Sequence, residues 1–101
     1  MAFELVFHPK AEKEYAKAYR WYERTQKGLG DRFEKMVDAS LSSISGRPYS
    51  FKAVKGLYRQ VAVAVFPYVI VYQIAKAKEQ IYIAAVFHTK RNPKQKFRKV
   101  S

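Results

Sequence analysis

The residues best equipped for chemistry in this chain are basic, aromatic or imidazole-bearing, and they gather in its second half. Lys52, Lys55, Arg59, His88, Lys90 and Arg91 stand there, with Tyr49, Tyr58, Tyr68 and Tyr82 between them. Such a set could cleave RNA through its own 2′-OH. That reaction needs a base for the hydroxyl proton, cations for the phosphorane charge and an acid for the leaving oxygen. Arginine and lysine could supply the charge, and a histidine that titrates near neutrality could move a proton. Aromatic rings could stack an unpaired base. Paired-carboxylate chemistry is excluded, because Glu79 is the only acid after Asp38. Cysteine is absent, which removes thiolate nucleophiles, disulfides and thiolate metal ligands. His8 and His88 lie at opposite ends of the chain, and no glycine-rich phosphate loop occurs. No metal and no cofactor is expected.

These side chains must be positioned by the run from Leu57 to Pro93. It holds three apolar, β-branched stretches, Leu57–Phe66, Tyr68–Ile74 and Gln80–Phe87, with turns at Phe66-Pro67 and Lys76–Glu79. Strands so short of charge must be buried, and such short turns pair neighbours antiparallel. Arg59 stands near the start of this run and the His88–Arg91 cluster closes it. Arg59 shares its alternation with Val61, Val63 and Val65, and His88 shares its own with Ala84 and Val86. Both alternations are apolar, so the pattern fixes neither the strand order nor the open face.

Upstream, Phe3–Phe7 reads as a short strand and Pro9 suits the first turn of a helix. From Lys10 to Arg24 the helical period places Ala11, Tyr15, Ala18, Tyr19 and Tyr22 on one face. Lys10, Lys13, Lys17, Arg20, Arg24 and Lys27 form a stripe on the other, flanked by Glu12, Glu14 and Glu23. Thr25–Gly30 breaks the helix. A second helix over Leu29–Ser45 buries Phe33, Met36, Val37, Ser40, Leu41 and Ile44, and Gly46 and Pro48 stop it. Arg47–Gly56 is a basic, aromatic loop, with or without an edge strand. The whole is α+β: an N-terminal strand, then a two-helix antiparallel hairpin packed on one face of an antiparallel sheet. The other sheet face is expected to be partly open, a floor for a binding site. Residues 1–93 form one domain and 94–101 a basic tail.

Twenty Lys and Arg against eight Asp and Glu give a net charge of +12, more than solubility requires in a chain of 101 residues. This predicts a nucleic acid or an acidic protein as partner, met by Lys13, Lys17, Arg20 and Arg24 on the first helix and by Lys90 and Lys94 beyond the last strand. The plainer alternative is a solvated basic surface. Trp21 lies off both stripes of its helix, at an interface or under a neighbouring element. Plainer roles also exist for the chemical candidates. Arg59 could pair with an acid of either helix, His88 could cap a turn, and His8 belongs to the helix start. The N-terminus is no secretory signal, and the charge-free window Val61–Tyr72 is too short to span a bilayer. A cytoplasmic chain without membrane association follows.

The ordered series HPKAEKEYAKAYRWYE, GLGDRFEKMVDASLSSI, RPYSF, YRQVAVAVFPYVIVYQI and IYIAAVFHTKRNP resembles the toxins of the RelE/ParE superfamily of bacterial toxin–antitoxin systems. The resemblance runs from Phe7 to Pro93. It implies a compact α+β toxin, neutralised by an acidic antitoxin that wraps around it, the pair binding operator DNA together. Two activities occur in that superfamily, ribosome-dependent cleavage of mRNA in RelE-like members and poisoning of DNA gyrase in ParE-like members. On the nuclease side, Arg59 matches the central-strand arginine, and Lys52 and Lys55 the lysines before it. His88 and Arg91 resemble a strand-end histidine and a late arginine. Two departures stand out: Tyr49–Lys55 holds no carboxylate to act as base, and Thr89 follows His88 where those nucleases carry a tyrosine. The AVFHTKRNP ending is closer to the ParE-like pattern, so gyrase inhibition is favoured. RelE-like cleavage, or a degenerate relative that binds only antitoxin and operator, is the alternative.

Overall fold

A computed structural model describes residues 3–91 and Phe97. The elements are β1 (Glu4–Phe7), α1 (Pro9–Thr25), α2 (Leu29–Gly46), β2 (Ala53–Lys55), β3 (Tyr58–Ala62), β4 (Tyr68–Ala75) and β5 (Gln80–His88), with short 3-10 turns at Pro48–Ser50 and Lys76–Lys78. The five strands form one sheet in the order β1-β5-β4-β3-β2. From β2 to β5 all neighbours are antiparallel, as expected of a meander. β1 lies parallel to β5, so the sheet is mixed rather than wholly antiparallel. β3 is shorter than its apolar pattern. Its ladder ends at Ala62, and exposed Val65 turns the chain with a φ of 74°.

α1 starts where His8 accepts the Lys10 N–H on Nδ1 at 3.0 Å, ahead of Pro9. The histidine thus serves as the N-cap. The hairpin between the helices is tied by side chains of α1. Glu23 accepts the Gly28 and Gly30 N–H groups, each at 2.9 Å, which answers two orphan donors at the start of α2. Tyr19 adds a 2.6 Å hydroxyl bond to Asp31. Gly28 supplies the left-handed turn at φ 90°. Gly30 is needed for a different reason, because a Cβ there would lie 2.8 Å from the Tyr19 carbonyl oxygen.

Both helices pack on one face of the sheet. Ala11, Ala18, Phe33, Val37, Leu41 and Ile44 meet Ile70, Tyr72, Ile81, Ile83 and Val86. Tyr22, Phe33, Phe66 and Tyr68 join them as an aromatic cluster with edge-on contacts such as Tyr22–Phe66 at 4.9 Å. The opposite face is not the open floor its antiparallel pattern implied. Val69, Val71, Ala84, Ala85 and Phe87 are buried there, with Tyr58 and Phe97 packed against them. The Phe97 ring lies 5.4 Å from that of Tyr58, and the Lys55 ammonium sits 5.2 Å above it. Of the basic tail at 94–101, only Phe97 is among the described residues; Lys94 lies outside them.

A bulge in β5 decides which residues face the helices. Val71 pairs with Ala85 but Tyr72 pairs with Ile83, so Ala84 is the extra residue. Before it Ile81 and Ile83 face the helices; after it Val86 does, with Ala84, Ala85 and Phe87 on the far side. No helix among the described residues is long and apolar enough to cross a membrane.

Buried Tyr72 donates to the Pro48 carbonyl at 2.7 Å. Burial pushes its phenol up to about 12, partly opposed by the nearby Arg59 charge.

Two tests follow from this packing. Gly30→Ala should destabilise the fold by roughly 1–3 kcal/mol through overpacking against the α1 backbone, read as a lower urea midpoint; an unchanged midpoint would show that the hairpin gives way freely. Tyr72→Phe should cost roughly 1–2 kcal/mol at pH 7 by orphaning the Pro48 carbonyl. The folded tyrosine holds its proton more tightly than the unfolded one, so its contribution is complete below about pH 10 and is lost as pH rises toward about 12. The gap between wild type and Tyr72→Phe should therefore narrow in urea melts near pH 11. The phenols of Tyr15, Tyr22 and Tyr68, also raised chiefly by burial, impose an alkaline slope common to both proteins. A constant gap would remove Tyr72 from that slope.

Candidate functional site

At the C-terminal end of β5 the chain builds a groove of about 620 Å³ between α1 and the β3–β4 connection. Lys13, Lys17 and Trp21 line it from α1, Pro67 and Tyr68 from the start of β4, and His88 and Arg91 from the end of β5. The helical spacing explains the first wall, since Lys13, Lys17 and Trp21 follow one another at intervals of four. The opposite wall exists because the β5 bulge brings Val86 and His88 round to the helix side. His88 pairs with Tyr68 across the β4–β5 ladder, with the rings edge-on at 5.1 Å.

His88 also closes a turn. Its Nδ1 accepts the Lys90 N–H at 3.1 Å, and its carbonyl accepts the Arg91 N–H at 3.1 Å. An imidazole that accepts on Nδ1 carries its hydrogen on Nε2. In this arrangement the histidine offers the groove a donor, not a base. Thr89 donates its N–H to the Pro67 carbonyl at 2.9 Å, which fastens this turn to the β3–β4 connection.

Glu14 links the groove to the sheet. Its Oε1 accepts the Val86 N–H at 3.1 Å, and its Oε2 lies 4.0 Å from the Arg91 guanidinium. The carboxylate is 11% exposed and Arg91 is 49% exposed, so the acid is held inside while the arginine reaches solvent. In the sequence Glu14 stands as a charge flanking the lysine stripe. A signal was present, because it stands three residues after Ala11 and four before Ala18, both buried. An acid at that helical position faces the protein.

The remaining candidates lie elsewhere. Arg59 points to the helix side of β3 but not to the groove. It donates to the Phe51 carbonyl at 2.6 Å and the Tyr49 carbonyl at 3.3 Å, with its guanidinium 5.5 Å from the Tyr49 ring centre. Its partners are thus loop carbonyls rather than an acid of either helix. Together with the Tyr72 hydroxyl on Pro48, these bonds hold the RPYSF loop against the sheet. Arg59 pairs with Tyr72, and His88 with Tyr68, four residues further back on β4. The two lie roughly 13 Å apart along the strands and about 10 Å across them. Lys52 is exposed near Arg59, and Lys55 sits over Phe97 on the opposite sheet face.

The α1 stripe is divided as well. Arg20 lies across the helix in a second cleft of about 430 Å³ with Phe7, Glu12 and Tyr15, and Arg24 is exposed in the last turn. Lys90 is exposed in the turn after β5. The structure therefore brings together Lys13, Lys17, His88 and Arg91, and leaves Lys52, Lys55 and Arg59 at the other end of the sheet. Among the described residues no group of three or more His, Cys, Asp or Glu could hold a metal ion.

Comparison with known proteins places residues 5–93 within the family model described as "ParE toxin of type II toxin-antitoxin system, parDE". No curated protein sequence matches the chain. Among solved structures, the chromosomal ParDE toxin–antitoxin system from P. aeruginosa aligns with a TM-score of 0.74 at 10% identity, covering 88% of this chain and 98% of the other. The E. coli toxin RelE, as a double-arginine mutant in the free state, aligns with a TM-score of 0.67 at 21% identity, covering 89% and 86%. An isolated RelE toxin from E. coli gives 0.65 at 21% identity, covering 91% and 89%. At these identities the structural likeness concerns the fold.

The bonding of Arg59 yields a direct test. Arg59→Ala should lower stability by roughly 1–3 kcal/mol, since it unpairs two loop carbonyls and frees the Tyr49 ring. Chemical denaturation of the purified variant reads this. An unchanged unfolding midpoint would release Arg59 from the structural role.

Proposed function

The chain belongs to the ParE toxin family of type II toxin–antitoxin systems, and on that premise we propose that it arrests growth by inhibiting DNA gyrase. The observation that carries the proposal is the division of its basic residues. Lys13, Lys17, His88 and Arg91 share one solvent-facing groove. Arg59, which a ribonuclease would aim at the scissile phosphate, is engaged with the loop carbonyls of Tyr49 and Phe51. The His88 ring is in turn occupied on Nδ1 by the Lys90 N–H. A binding protein needs only the first arrangement, a cationic surface rigidly mounted on α1 and β5. A metal-independent nuclease needs the second set to converge.

The partner that restrains the toxin is an acidic antitoxin, a partly disordered segment that folds onto it. A net charge of +12 favours such a partner through both encounter rate and affinity. Operator DNA is engaged through the toxin–antitoxin complex, with the antitoxin supplying the DNA contacts. No cofactor enters this activity. The cell compartment implied is the cytoplasm, where gyrase and its DNA reside.

The decisive experiment assays gyrase supercoiling and cleaved-complex formation with purified toxin, alongside mRNA integrity in a translating extract. Wild type should inhibit gyrase and leave messages intact. Lys17→Glu combined with Arg91→Glu should weaken inhibition by roughly tenfold or more, as expected for two charge-reversed contacts. Normal gyrase behaviour at saturating toxin would refute the proposal. Cut messages in the extract would transfer the chain to the ribonucleases, and inactivity in both assays would mark a degenerate member.

A further inference from the structure

We infer that the groove between α1 and the end of β5 seats an unpaired nucleotide of a single nucleic-acid strand, its base on the aromatic wall and its phosphates on the cationic rim. The inference deepens the assignment of this groove as the working surface of the toxin and rests on it.

The first support is the aromatic wall. Trp21 is 55% exposed, yet its ring is fixed edge-on to Tyr22 at 5.1 Å. Tyr68 is held between Phe33 and His88, with ring centres 5.1 Å away on each side. An exposed indole beside a partly exposed phenol, each held by its neighbours, is a platform on which an unpaired base stacks, and every base offers a π-face to it. A paired base has its faces covered by the duplex and cannot use such a platform. The groove volume of about 620 Å³ lies within the range of small-molecule sites.

The rim supplies the complementary charge. Lys13 and Lys17 stand one helical turn apart on one bank, and Arg91 faces them from the other. Among the described residues neither lysine takes part in an ion pair. Glu14, the acid lining the groove, is turned to the Val86 N–H and to Arg91, where it orients the guanidinium instead of opposing an anion at the mouth. The Nε2 hydrogen of His88 adds a donor for a phosphate or a base edge.

An acidic peptide meets the same charges but finds less to bind. Peptides seated beside a strand gain most from main-chain hydrogen bonds to its free edge. Here the Val86 N–H on that edge is already taken by Glu14. With that donor closed and the Trp21 ring exposed, the surface suits a nucleotide better than a peptide strand.

Trp21 is the single tryptophan, so its fluorescence reports directly on the site. Titration with a short oligothymidylate at about 50 mM salt should quench it in a saturable, salt-dependent manner. With labelled oligothymidylate read by anisotropy, Lys13→Glu plus Lys17→Glu, and separately Trp21→Ala, should each weaken binding by roughly tenfold. Trp21→Phe should retain most of the affinity. The control is Lys76→Glu plus Lys78→Glu, an equal charge change in the β4–β5 turn at the other end of the sheet, which should weaken binding by less than about threefold. An equal loss in the control would reduce the binding to the general field of a basic protein and overturn the inference. So would equal affinity for the corresponding duplex, or an acidic peptide that quenches Trp21 while the oligonucleotide does not.

Thermal melts confirm that each variant is folded. Gyrase inhibition is measured on the same preparations. Gyrase inhibition by a wild-type protein that fails to bind the oligonucleotide overturns the nucleotide seat alone. Oligonucleotide binding in the groove without gyrase inhibition overturns the gyrase reading instead.

Discussion

The structure depends on how the second edge of β5 is satisfied. This central strand is paired with β4 along its length, but β1 covers its other edge only from Gln80 to Ile83. A backbone donor left unpaired at a packed position costs about as much as a lost hydrogen bond, so the uncovered stretch needs another acceptor. Glu14 supplies it at Val86. A helix side chain thus takes the place of a missing strand residue, and α1 is pinned across the open half of the sheet. The groove is the space left where the helix stands off from the strand end. Arg91, the His88 turn and the Pro67 connection are arranged around that anchor.

The two ends of the sheet show the same residue types put to opposite uses. At one end Arg59 and Tyr72 take up the carbonyls of Pro48, Tyr49 and Phe51, and the loop after α2 closes over the core. The loop needs donors there because its own backbone forms only a single short turn. At the other end Glu14 answers the Val86 N–H and the Pro67 carbonyl the Thr89 N–H. The basic side chains at that end are free to face solvent. Position in the fold, rather than residue type, separates a structural arginine from one available to a partner.

The helical hairpin brings one bank of the groove to its place. Glu23 caps the start of α2, and the missing side chain of Gly30 lets the helices approach closely. Phe33 then meets Tyr22, Phe66 and Tyr68 in the aromatic cluster, which lies directly under the groove. The wall on which a partner would bind is therefore part of the hydrophobic core. A chain of this size gains rigidity at the groove without committing extra residues to support it.

Much of this was legible in the sequence because it rests on local pattern. The helical stripe of α1, the buried stripe of α2 from Phe33 to Ile44, the Thr25–Gly30 break and the antiparallel meander follow from periodicity and turn chemistry alone. The ordered motifs between Phe7 and Pro93 also carried the family. Other features came only from tertiary structure. The parallel pairing of β1, the burial of the second sheet face with Phe97 against it, and the true partners of Arg59 depend on segments far apart in the chain. The deepest loss of information was at Ala84. One inserted residue in β5 exchanges the faces of everything after it, and because both alternations are apolar the exchange leaves no mark on the hydrophobic pattern. The sequence alone determined which residues could meet an anion. The bulge and its Glu14 anchor decided that Lys13, Lys17, His88 and Arg91 meet in one groove while Arg59 lies at the other end of the sheet.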